Sequence, residues 1–462
     1  MPPNDRESSN DRGSLDADTL STIDSVLRTR LAEDDIPGLS LAIADREGVR
    51  YARGYGSRDL ATNEPATPET IYGIGSVSKS FASLATLQLV EAGDLSLDDS
   101  VTAHLDVDVP EEITLHHLLS HTSGFPSLAA SEALLGRQMG TGEAGIPLGS
   151  REDVLAHIEG ATDELVGEPG ERWLYCNSGY TLVGEVIEAV TDRPYTDYVT
   201  EEILDPLGMD RSTFDGDRFE AFEDRMTPYF APDDELEPHP LPIREHSAAA
   251  GGLLAPVTDL VRYCRLHLRG GELDGTRLVD ESVLQRAYEP HAKTPAGPYG
   301  YGWRTRNVAG DTLIGHGGSI AVSTAYAGFS PDRDLAIALL ANASPGYGLA
   351  ELGKGVFAAL TGPDPETLPF FRRRDRFDAF SGTYESYRGI KRAEVEPSGG
   401  TLRLRIGGPI DGEGEWQPLI PVDIDEGEFE TLSAAGDRIP VEFVETDAGV
   451  ECYVDRWRLH QV

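Results

Sequence analysis

The sequence predicts an α+β fold: an antiparallel sheet flanked by helices, a helical subdomain beside it, and a small all-β barrel after it. Three observations carry this. Strand-like alternation recurs near both ends of the first 360 residues, amphipathic helical runs fill the stretch between, and a Gly/Pro-rich break near 365–375 precedes short alternating runs with Gly-rich turns. At 462 residues the chain exceeds one ordinary domain, so two domains are the natural division.

Residues 1–16 are polar and acidic and read as a disordered tail. The mixed domain is assigned to 17–365. It opens with a helical pattern through Leu20, Ile23, Val26, Leu27 and Leu31. Gly38 to Ala44 alternates Leu39, Leu41 and Ile43 against small residues. Val49 to Tyr55 follows the turn Asp45-Arg46-Glu47-Gly48, and the two runs form a hairpin. From Ser76 to Ala92, Phe81, Leu84, Leu87 and Leu89 recur at helical spacing, with Gly93 where a C-terminal cap belongs. Thr181 to Val190 and Thr258 to Leu268 continue the helical half. Strands return at Asp311 to Gly315, Ser323 to Phe329 and Leu335 to Ala341, so one sheet is built from both ends of the domain. The segment 362–369, with Pro363, Pro365 and Pro369, ends this pattern. The runs Leu402-x-Leu404-x-Ile406, Val441-x-Phe443 and Val450-x-Cys452-x-Val454 then suggest a small antiparallel barrel over 375–462.

Charge narrows the function classes. There are 80 acidic residues against 39 basic ones, a net charge of -41, which repels nucleic-acid backbones and anionic lipid headgroups. Self-repulsion of this size strains a fold in dilute buffer, but at molar salt the Debye length is about 3 Å. A salt-rich cytoplasm is therefore the expected setting. The N-terminal residues lack an apolar signal core, and no run of 18 apolar residues occurs. Neither secretion nor a membrane partner is expected. Cys176, Cys264 and Cys452 are odd in number and have no C-x-x-C spacing, which fits reduced thiols. Only Lys79, Lys293, Lys354 and Lys391 are lysines, so each asks for a reason.

Ser76-Val77-Ser78-Lys79 places a hydroxyl and an amine three positions apart at a helix start, on one face and within mutual reach. A serine hydroxyl needs an adjacent base, and a lysine in a largely apolar site has a lowered pKa and can serve. Taken alone, the motif also fits a solvated helix start. Tyr175-Cys176-Asn177 is the single Tyr-x-Asn in a chain with 17 tyrosines. A phenol near an ammonium ionises more easily, so Tyr175 is a second candidate base. Asn177 also fits a helix cap. His316-Gly317-Gly318, followed by Ser319, is the single His-x-Gly, and its glycines let substrate approach the backbone.

In this order the three motifs resemble the penicillin-recognising serine hydrolases: class C β-lactamases, D-aminopeptidases, DD-peptidases and related esterases. Further stretches share the likeness: 71–75, Leu118-Leu119-Ser120-His121-Thr122-Ser123-Gly124, 175–184 and Gly251-Gly252-Leu253-Leu254. It spans residues 17 to 360 and implies a β-lactamase/transpeptidase-like domain. It also implies acyl transfer through Ser76, with Lys79 and Tyr175 handling protons and either one serving as base. Asn177, His316, Gly317, Gly318 and Ser319 would bind substrate, and the oxyanion hole would be the N–H groups of Ser76 and Ser319. No cofactor is implied. The third motif departs from the Lys-Thr-Gly or Lys-Ser-Gly of β-lactamases, and a mostly neutral histidine replaces a cation. That favours D-amino-acid peptides or small esters over β-lactams. The segment 375–462 resembles the small lipocalin-like barrel of some archaeal D-peptidases, which shapes a substrate cleft or joins a homo-oligomer.

Competing readings are weaker. His116, His117 and His121 invite a metal site, but no His-Glu-x-x-His is present and no acidic ligand is suitably spaced. They read as structural or as the rim of the site. The absence of Gly-x-Ser-x-Gly disfavours an α/β-hydrolase. A ligand-sensing or assembly module that lost turnover is the non-enzymatic alternative.

Overall fold

The computed structural model describes residues 15–126, 136, 139–140, 150–231, 235–242, 245–409 and 412–462. Most of the expected 1–16 tail lies outside these residues. The chain divides into two compact units, Met1–Gly362 and Pro363–Val462.

The first unit is built on a nine-stranded, wholly antiparallel sheet. In chain order its strands are β1 (Gly38–Ala44), β2 (Val49–Asp59), β3 (Glu64–Pro65), β4 (Ala292–Thr294), β5 (Gly297–Tyr299), β6 (Arg304–Val308), β7 (Asp311–Ser319), β8 (Thr324–Ser330) and β9 (Leu335–Ala341). Their spatial order is β4-β5-β6-β7-β8-β9-β1-β2-β3. Leu39 to Ala44 of β1 therefore pair with Ala341 to Ala336 of β9, and the two ends of the domain meet at the centre of the sheet.

Both faces of the central strands are buried. On β8, Ala325, Ala327 and Phe329 enter the large core shared with the helical half. Tyr326 points the other way, against Gly353 of a helix at Ala350–Thr361. Continuous apolar strands such as β9 follow from this two-sided cover.

Helix α1 (Ala17–Glu33) is capped by Asp16, whose side chain accepts from the N–H of Thr19. Helix α2 (Ser78–Ala92) runs through the middle of the helical half and is buried almost all round, as a central helix must be. Gly93, at φ 84°, is its left-handed C-cap. Helix α3 (Asn177–Thr191) packs on α2, and helix α4 (Val257–Leu268) packs on β8, β9 and β1.

The second unit is a closed barrel of eight antiparallel strands in sequential order, from Gly382–Ser386 to Trp457–Gln461. Pairing of Tyr384 with Gln461 closes it. The unit begins at Pro363, earlier than the expected 375, because Pro369–Phe380 forms a helix whose Phe377 and Phe380 enter the barrel core. Its many arginines hide that helix in the sequence. Phe380 stacks on Phe443 with centroids 4.7 Å apart.

Candidate active site

The three sequence motifs converge in the first unit. Ser76 lies in a 3-10 turn, Gly75–Val77, that feeds into α2, and not in the α-helix itself as expected. The turn requires Gly75 at φ 52°, a left-handed value that a side chain disfavours. Lys79 follows one turn later, fully buried. Its Nζ donates to Ser76 Oγ at 3.0 Å, Asn177 Oδ1 at 2.6 Å and the Ala250 carbonyl at 2.7 Å. Burial pulls the Lys79 pKa from 10.5 down to about 7 despite these acceptors. A neutral amine is thus accessible near neutral pH.

Tyr175 stands on the loop before α3. Its hydroxyl hydrogen-bonds Ser76, and its ring lies 4.8 Å from Lys79 Nζ. Burial raises its pKa, with the Ser76 bond and the Arg304 charge opposing, so the group is a phenol at neutral pH. Asn177 opens α3, which fixes its amide against Lys79.

His316, Gly317, Gly318 and Ser319 lie within β7, one strand that runs further than the expected 311–315. The reason for glycine at 318 is contact: a Cβ there would stand 1.9 Å from the Ile74 carbonyl oxygen and 2.9 Å from the Ser76 nitrogen. A Cβ on Gly75 would likewise stand 2.7 Å from the Ser319 nitrogen. Two bare glycines let β7 approach the serine turn, bringing the amides of Ser76 and Ser319 near each other.

Behind these groups runs a buried chain of hydrogen bonds that the sequence did not reveal. The Cys176 N–H donates to His121 Nδ1 at 3.1 Å, so the His121 proton is on Nε2, 3.1 Å from the Tyr299 hydroxyl. His316 Nδ1 faces the Gly317 carbonyl oxygen and must donate to it. His316 Nε2 is then an acceptor, 3.1 Å from the same Tyr299 hydroxyl, which donates. Every proton in the chain points one way. Burial, and after it the Lys79 charge, drives the His316 pKa down to about 3, and burial holds His121 well below 6.5. Both imidazoles are neutral. His121 leaves the short helix Leu115–Leu119 with φ 60°, which turns its ring into the site and away from His116 and His117. His116 instead bonds Tyr301. Among the described residues, no group of three or more His, Cys, Asp or Glu is placed to hold a metal.

The sequence matches the beta-lactamase family over residues 23–356. The chain belongs to that family. Residues 365–460 of this beta-lactamase-family chain match a second description, the Pab87 octamerisation domain. Protein flp of Staphylococcus aureus is 29% identical over 355 residues, covering 72% of this chain, and the match spans 65% of the length of that relative. The octameric penicillin-binding protein homologue from Pyrococcus abyssi is 35% identical with a TM-score of 0.89, over 95% of this chain and 99% of that one. A D-stereospecific amidohydrolase from Streptomyces sp. is 26% identical with a TM-score of 0.62, over 74% of this chain and 98% of that one. The fold expected from the motifs is the one observed. Among the described residues no helix is long and apolar enough to cross a membrane.

Proposed function

We propose that this chain is a serine hydrolase that forms an acyl-enzyme on Ser76, acting on amide bonds of D-amino-acid peptides or on small esters. The observation that carries the reading is the buried Lys79 amine, 3.0 Å from Ser76 Oγ with its pKa near 7. Similarity to a D-stereospecific amidohydrolase supports the substrate class.

The pKa values of the two proton-handling groups are pushed in opposite directions, which supports giving them different roles. Neutral Lys79 takes the Ser76 proton as the oxygen attacks the carbonyl carbon. The Ser76 and Ser319 amides receive the developing oxyanion. The Tyr175 phenol gives its proton to the leaving group as the carbon–nitrogen or carbon–oxygen bond breaks, and recovers one from Lys79. Water then attacks the ester, giving up its proton along the reverse route, and frees the acid. The neutral His316 shapes this wall of the site without supplying charge.

The acidic surface supports a salt-rich cytoplasm as the working environment. The octamerisation-domain match supports a homo-oligomer joined through the barrel; sedimentation of the whole chain against one ending at Gly362 tests this.

The test of the chemistry is intact mass after an uncharged fluorophosphonate probe, with wild type and Ser76→Ala compared in molar salt. A single adduct on the wild type alone is expected. Equal labelling of both, or Ser76→Ala retaining hydrolysis of every D-aminoacyl amide and ester tried, overturns the reading.

A further inference from the structure

Tyr175 stands between two residues that are both bonded to His121. The Leu174 N–H donates to the His121 carbonyl oxygen at 2.8 Å, and the Cys176 N–H donates to His121 Nδ1 at 3.1 Å. Gly170 N–H, at the start of the same loop, donates to the carbonyl oxygen of the next residue, Thr122, at 2.7 Å. Between its two anchors the phenol lies over the imidazole, with ring centroids 4.2 Å apart. One residue thus fixes the loop on both sides of Tyr175 and packs against its ring.

The rest of the His121 geometry fits that task. Its backbone takes φ 60°, a left-handed value that few non-glycine residues adopt and that persists only where the surroundings impose it. The side chain is buried. One ring nitrogen accepts from Cys176 and the other donates to Tyr299, so both are engaged away from Ser76. A neutral imidazole is a flat ring with one acceptor and one donor nitrogen, which is what these two partners require. Protonation would remove the acceptor that Cys176 uses. Burial, and after it the Lys79 charge, prevents this by holding the His121 pKa well below 6.5.

We propose that His121 is the positioning residue of Tyr175: it touches no reacting atom, and it acts by holding the phenol against Ser76, where the leaving group receives its proton. This rests on the acyl-enzyme reading above and on the role given there to Tyr175. It carries a chemical signature. An amine leaves an amide only when protonated, whereas a para-nitrophenolate or a fluoride leaves without a proton. A misplaced phenol therefore slows the first departure and spares the other two.

The experiment compares wild type, His121→Phe, His121→Asn and Tyr175→Phe in molar salt. Each is given a D-aminoacyl amide, the para-nitrophenyl ester of the same acyl group, and an uncharged fluorophosphonate. Phe keeps a ring against Tyr175 without the acceptor, and Asn keeps an acceptor and tolerates the left-handed backbone. In His121→Phe, kcat/KM on the amide is expected to fall about a hundredfold, the scale of an ångström of misplacement, and in His121→Asn by less. In both variants kcat/KM on the ester and the rate of Ser76 labelling should fall by no more than about tenfold, because those leaving groups take no proton. Tyr175→Phe should show the same split between amide and ester, and adding His121→Phe to it should cost nothing more. Equal losses on amide and ester in both His121 variants, or losses that add in the double variant, overturn the proposal, because a histidine that merely supports the fold would act so. If Tyr175→Phe itself shows no split, the role given to Tyr175 fails and that of His121 with it. A wild type that does not label at all defeats the acyl-enzyme reading.

Discussion

Tyr299 donates its hydroxyl proton to Nε2 of His316 across 3.1 Å, because the hydrogen of that imidazole is already held on Nδ1 by the Gly317 carbonyl. The bond ties the ring to the strand whose Ser319 amide faces the serine turn.

Tyr299→Phe removes the donor and leaves His316 Nε2 buried without one. The expected cost is about 1–3 kcal/mol of stability, read from urea unfolding in molar salt. The imidazole tautomer, read from nitrogen chemical shifts, should stay Nδ1–H, held by the Gly317 carbonyl. A mixed tautomer in the variant would mean that the carbonyl alone does not set it.

The pH dependence follows from Lys79. Below its pKa of about 7 the amine is an ammonium and cannot accept the Ser76 proton; above it the amine is free. kcat/KM should therefore climb as pH rises through about 7, with no falling limb until Tyr175 ionises well above its ordinary value. His316 and His121 stay neutral across this window and contribute no inflection. A profile flat from pH 5 to 9 would show that acylation does not wait on Lys79.

Gly318→Ala puts a methyl 1.9 Å from the Ile74 carbonyl oxygen. Strand and turn must separate, which draws the Ser319 amide from its place. A loss of about a hundredfold to a thousandfold in kcat is expected, the scale of one oxyanion donor removed. The fold should persist, with a destabilisation of about 1–3 kcal/mol. Circular dichroism against turnover separates the two effects.

Salt should stabilise the chain. With a net charge of -41, raising sodium chloride from low to molar concentration screens the repulsion, and the thermal midpoint should rise. A midpoint that stays level or falls would count against a salt-rich cytoplasm.

The proposed site was legible because its residues sit in three short local motifs: Ser76 and Lys79 one helical turn apart, Tyr175 and Asn177 at a helix entry, His316 among glycines. β1 and β9 were legible to the residue, β1 because Leu39, Leu41 and Ile43 alternate with small residues and β9 because a strand covered on both faces reads as an uninterrupted apolar run. Other groups were not. His121 meets Tyr299 across 178 residues, and no local spacing encodes that. The Ala250 carbonyl that receives the Lys79 proton is backbone and has no sequence signal beyond the Gly251-Gly252 that follows. The helix before the barrel was missed because the charged run Arg372 to Arg376 interrupts its apolar residues, although Pro369 at its start and Phe377 and Phe380 along one side were its marks.

The pairing of β1 with β9 has a consequence for how the protein comes into being. The Gly38 N–H binds Asn342 Oδ1 at 2.8 Å across 304 residues. At about 5–20 residues per second on the ribosome, the first strand waits on the order of tens of seconds for the neighbour that flanks it. The serine turn is also made early, and the Ser319 amide beside it is made late. A half-translated chain therefore carries Ser76 without the Ser319 amide beside it, and the proposed site is complete only when the sheet closes.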